Sequence, residues 1–173
     1  TQPTQLNFPM QASGQGSGDP RRDLEAYRKY FKTNWKIVDE VTNLINAEME
    51  KDQVTKIDRI ESIRSVLDAV RPALNAQFGN QINSLIQSAD NVITALRTNQ
   101  NNKLAFYGIL LYTVESCLKN SELLFGKDSR LSVYYRAALI LIVNKEIPGF
   151  AEFVILRIAK EFPILAGIWP ERK

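Results

Sequence analysis

From Lys103 to Trp169 the chain is a near-continuous run of helix-forming, apolar sequence, interrupted only by short Pro and Gly stops. Two long apolar patterns sit there, Lys103 to Phe125 and about Ser129 to Asn144, bounded by Gly126-Lys127-Asp128 and Pro148-Gly149. A helix that is apolar around more than half of its circumference needs neighbours on several sides. The stretch also carries almost none of the polar groups that catalysis requires. It therefore constrains the chain to a packed assembly of helices.

The same period runs upstream. Asp19-Pro20 reads as an N-cap followed by Pro at the first helical position. A first helix from Pro20 to about Lys51 follows, with Leu24, Tyr27, Phe31, Trp35, Val38, Val41, Leu44 and Ile45 along one stripe. A second is expected from Gln53 to Val70, ended by Arg71-Pro72 because the residue before Pro avoids the α region. Gly79-Asn80 marks a turn. A third helix, Asn80 to Thr98, has the cleanest amphipathic spacing, through Ile82, Leu85, Ile86, Ala89, Val92, Ile93 and Leu96. A polar loop at Thr98 to Asn102 precedes the fourth helix, at Lys103. Phe150 to Glu161 forms a sixth, stopped by Phe162-Pro163, and Pro163 to Trp169 a last short turn. Strict strand-like alternation is absent outside the first ten residues. The expected fold is all-α, an irregular HEAT-like helical-repeat stack of about six helices over residues 20–173.

Residues 1–19 differ from the rest. They are rich in Gln, Ser, Gly and Pro, with Asp19 the single charge, and Ser13 to Gly18 reads as a flexible linker. The segment is expected to be a flexible tail, or else a tethered peptide, Leu6-Asn7-Phe8-Pro9-Met10. In an extended chain the alternating Leu6, Phe8 and Met10 share one face. The chain does not begin with Met, which points to a fragment or a processed product.

Composition narrows the chemistry. The 173 residues include no histidine, which removes the commonest general base and the commonest metal ligand. Cys117 is a lone cysteine in an apolar helical pattern and reads as a small core residue, with a reducing compartment the simpler assumption. No Walker loop, EF-hand or Gly-x-Ser-x-Gly elbow occurs, and no catalytic or metal site is expected. No apolar run reaches the 18 or so residues of a membrane span. The net charge of +3 is small. Basic residues nevertheless crowd the first helix, where Arg28, Lys32 and Lys36 step by four beside Tyr27, Phe31 and Trp35. That pairing suits either a solvated flank beside a core face or nucleic acid, with rings stacking on bases. A smaller basic cluster joins Arg157, Lys160, Arg172 and Lys173.

From about Arg71 onward the order of features resembles the C-terminal domain of the Gle-one family, the nuclear-pore mRNA-export factors. Asn75-Ala76-Gln77-Phe78-Gly79 with Ile82-Asn83-Ser84 is similar to that family's Asn-Pro-Lys-x-Gly-Gln-Leu-x-x-Ser connector, with Ala76 and Gln77 in place of Pro and Lys. Leu104 through Glu115 corresponds to its long helix. Ile147-Pro148-Gly149-Phe150, Val154 to Ile158 and Lys160-Glu161-Phe162-Pro163 follow its closing segment, with Glu161 and Phe162 where the family has Lys and Cys. The resemblance implies a fold like the middle domain of translation initiation factor four-G (MIF4G-like). It implies binding and activation of a DEAD-box RNA helicase at the cytoplasmic side of the nuclear pore complex, docking of a nucleoporin peptide in an apolar groove, and RNA engaged only indirectly. It also implies inositol hexakisphosphate held by basic residues, of which only Lys160 carries over by position.

Three functions are thus expected of such a chain. One is a helical adaptor of mRNA export that meets partners through Arg157, Lys160, Arg28, Lys32 and Lys36. Another is a nucleic-acid-binding helical domain, and the last a self-associating structural protein seamed by its fifth helix.

Overall fold

The computed structural model describes residues 6–12, 14–49, 82–119 and 129–170. They form five helices: α1 (Pro20–Met49), α2 (Ile82–Thr98), α3 (Lys103–Lys119), α4 (Ser129–Glu146) and α5 (Phe150–Glu161). A 3-10 turn at Pro163–Ala166 follows, and no strand occurs among the described residues. The chain is all-α. The expected helix from Gln53 to Val70, the Asn75 to Gly79 connector and the end of the fourth helix beyond Lys119 lie outside the described residues. α4 runs two residues past the expected Asn144, because its backbone ladder continues to the Ile147 N–H, which donates to Val143 O at 2.8 Å.

Each boundary has a local cause. Asp19 caps α1, its carboxylate accepting from Arg21 N at 3.0 Å. The Asn-rich loop stops α2 through Asn99, which donates to Ala95 O, and starts α3 through Asn102, which accepts from Ala105 N at 3.2 Å. Between α4 and α5 the chain turns at Gly149, whose φ of 91° is open to glycine at little strain. The Asn144 side chain then accepts from Ala151 N at 3.0 Å and satisfies one free amide of the α5 start. Pro163 ends α5 at the position its missing N–H allows.

The helices pack as layers around one apolar core. α2 lies against α4 and α3, α1 lies against α5 and α3, and α3 and α4 each also touch α5. Phe150, Phe153 and Leu156 of α5, Val38 and Val41 of α1, Leu96 of α2, Ile109 and Leu110 of α3, and Leu139 of α4 are fully buried. Burying a side chain of this size contributes roughly 1.5–3 kcal/mol, so α5, short as it is, is the hub. Among the described residues no helix is long and apolar enough to cross a membrane.

The α1 stripe is only partly core. Phe31, Val38 and Val41 are buried, but Leu24 and Tyr27 stay exposed at the start of the helix. There the C-terminal turn takes over. Tyr27 donates its hydroxyl to Leu165 O at 2.7 Å, and Arg28 donates Nε to Gly167 O.

Candidate functional site

Residues 6–12 lie against the helical body, between α1 and the turn that joins α4 to α5. They are non-helical, and their burial alternates: Leu6 is buried, Asn7 exposed, Phe8 half-buried, Pro9 exposed and Met10 half-buried. That is the period of two expected when one face of a peptide meets a surface. Leu6 and Phe8 both pack on the core. Two polar anchors fix the ends. Leu6 N–H donates to Pro148 O at 3.0 Å. On α1, Asn34 accepts from Met10 N at 2.9 Å through Oδ1 and donates to Met10 O at 2.8 Å through Nδ2.

Asn34 sits fully buried on the apolar side of α1, between Phe31 and Val38. A buried amide without partners is costly. The Met10 main chain satisfies both of its functional atoms, so the helix carries a polar clamp for peptide backbone. At the other anchor Gly149 has a second role besides its backbone conformation. A Cβ there would stand 2.8 Å from Phe8 Cε2 and 3.0 Å from both Leu6 Cβ and Leu6 O. The absent side chain is what lets the segment approach the turn.

Beyond Met10 the groove opens into a cleft of about 780 Å³. Residues 10–12 and 14–16 form one wall, Tyr27, Tyr30 and Phe31 of α1 another, and Glu152, Ile155 and Leu156 of α5 the floor. Glu152 is partly buried there, and loss of hydration raises its carboxyl pKa above the ordinary value. The connector back to α1 is held by exposed polar contacts. Asp23 accepts from Ser17 N at 2.9 Å and from Ser17 Oγ at 2.8 Å, and these bonds lower the Asp23 pKa.

The basic candidates do not form one surface. Arg28 is committed to Gly167 O, leaving Lys32 and Lys36 exposed, with no ion pair among the described residues. The rings beside them are engaged elsewhere. Phe31 is buried, with its centroid 4.8 Å from Tyr27 and 6.3 Å from Trp35, and Trp35 donates its indole N–H to Leu156 O at 3.0 Å. Burial withdraws Phe31 from base stacking, and Trp35 is half-buried, while Tyr27 stays exposed. On α5, Lys160 is paired with Asp39 of α1, and Arg157 with Glu161 at 3.4 Å. A polyanion at this pair would have to displace both carboxylates. Burial also pushes the Lys160 ammonium pKa down. Arg172 and Lys173 lie outside the described residues.

Asn34, Gly149 and Glu152 were not singled out by sequence reasoning. Asn34 had a readable signal, a polar residue three and four positions from two apolar members of the α1 stripe. Pro148-Gly149 was legible as a stop, but nothing local says that a distant segment approaches it. Among the described residues no three His, Cys, Asp or Glu side chains converge as a metal site would need. No family model matches this chain, and neither a curated protein nor a solved structure does.

Proposed function

We propose that this chain is a non-enzymatic helical adaptor, and that its finer architecture is a short, irregular HEAT-like or MIF4G-like stack in which α1 folds back on α5. One observation carries the adaptor reading: a non-helical segment of the chain is seated in a groove by main-chain hydrogen bonds and alternating apolar contacts. A surface that grips backbone and apolar side chains together is suited to binding protein segments.

The resemblance in residues 71–163 supplies the setting. In it the adaptor works in mRNA export at the cytoplasmic side of the nuclear pore complex, where it regulates a DEAD-box RNA helicase and docks nucleoporin segments. RNA then enters only through the helicase. Exposed Lys32 and Lys36 give α1 a positive edge for an acidic partner face. Inositol hexakisphosphate is not included, because the carboxylate partners of Arg157 and Lys160 oppose it.

The test is a helicase assay. The chain is added to a DEAD-box helicase with RNA, and ATP hydrolysis is followed. The expected result is a faster rate that falls when Lys32 and Lys36 are both changed to Glu. An unchanged rate at saturating chain would defeat the helicase reading. Direct RNA binding that weakens steeply with salt would favour the nucleic-acid alternative instead.

A further inference from the structure

The way residues 6–12 are held is transferable from one polypeptide to another. Leu6 offers an N–H to Pro148 O, and Met10 offers its N–H and C=O to Asn34. None of these polar contacts uses a side chain of the segment. Large apolar residues at alternate positions add the packing contacts, and residues 6–12 carry no charge. The connector that follows is built unlike a core element. Residues 14–19 are all exposed, and Asp23 tethers them through exposed bonds to Ser17. The segment is therefore an anchored peptide on a Gly- and Ser-rich leash.

We propose that the groove between α1 and the Pro148-Gly149 turn is a peptide-docking site closed in cis by residues 6–12. Its ligand in trans is an uncharged, non-helical segment of another protein with large apolar residues at alternate positions, as in Leu6-Asn7-Phe8-Pro9-Met10. This rests on the adaptor reading and names the chemistry of its partner. The chain's own segment, seated there, is the argument for that chemistry. The cleft beyond Met10, between Tyr27, Tyr30 and Ile155, is walled on its other side by the cis segment and its connector, so release of that segment opens it to an incoming peptide. Closure in cis sets a threshold. If the segment occupies the groove about nine-tenths of the time, a rival binds about tenfold more weakly than to an open groove.

The experiment uses the full chain and a fluorescent peptide of residues 6–12, read by anisotropy. In the variant Leu6→Asp/Phe8→Asp the cis segment is released, and affinity for the peptide is expected to rise by roughly tenfold or more over the unaltered chain. Adding Asn34→Ala to that variant should reverse the gain. Circular dichroism checks that the helices persist. If the variant fails to fold, a protease site placed at Gly14 to Gly16 provides the second route. The folded chain is cut, and the labelled peptide should then exchange into the groove. Equal affinity for the unaltered and released chains, or no binding to either the released or the cut chain, would overturn the proposal. A dimer that the peptide dissolves would overturn closure in cis, since the segment would then be swapped between copies. Helicase stimulation measured in the same samples separates the two readings: peptide binding without stimulation removes the helicase and keeps the groove.

Discussion

Asn34 offers the sharpest test of whether residues 6–12 act as one docked unit. Asn34→Ala removes two hydrogen bonds, of 2.9 and 2.8 Å, and leaves the Met10 N–H and C=O facing an apolar wall. At about 1 kcal/mol net for each bond, the loss is about 2 kcal/mol. For a domain of this size that lowers Tm by roughly 4–8 °C. Leu6→Ala attacks the other end. Leu6 is 7% exposed, and truncating it costs about 2 kcal/mol, the low end for a buried leucine because it lies at the rim of the core. The two substitutions sit at separate anchors, so independent sites would sum to about 4 kcal/mol. If each releases the whole segment, the second finds little left to lose, and the double variant costs only about 2–3 kcal/mol. The coupling, about 1–2 kcal/mol, is then a measure of docking itself. Urea denaturation of the parent chain, both single variants and the double variant gives the cycle. Additivity to within about 0.5 kcal/mol would refute the idea that Leu6 and Met10 are held cooperatively.

Two further outcomes follow from the same groove. Gly149→Ala places a methyl group 3.0 Å from Leu6 O and forces a non-glycine residue to φ 91°, the backbone alone costing about 1–2 kcal/mol. Hydrogen exchange at the Leu6 and Met10 amides should quicken, and unchanged exchange would show that the segment does not depend on that approach. Glu152→Gln tests the cleft floor. Burial raises the Glu152 pKa above its ordinary 4.5, so the folded state binds the proton more tightly than the unfolded chain does. That contribution to stability is present below the unfolded value and is lost as pH rises through the folded one. The glutamine variant should therefore melt higher than the parent near neutral pH, with the advantage fading in acid. An equal gain at both ends would assign it to something other than the carboxylate charge.

The legibility of the chain divides along the same line as its physics. The apolar spacing of Leu85 to Leu96 marked α2, and Phe150 to Glu161 was readable to the residue because Gly149 and Pro163 stand at its two ends. The basic stripe was less readable. Arg28 has the same spacing as Lys32 and Lys36, yet it is turned to the Gly167 carbonyl, 139 residues away in sequence. Lys160 read as a phosphate ligand by resemblance, and Asp39 from another helix meets it. The alternation of Leu6, Phe8 and Met10 was visible, but the surface that receives them was not.

The positions of α1 to α5 and their all-α class were determined by sequence alone, because caps, breakers and apolar period act over a few residues. The docking groove was decided only by tertiary structure. Its clamp joins Asn34 to Met10 across 24 residues, and its other anchor joins Leu6 to the Pro148-Gly149 turn near the far end of the chain. A hydrogen bond or a van der Waals contact acts only over a few ångströms. Which groups come that close is set by how α1, α4 and α5 pack, and no local pattern carries that information.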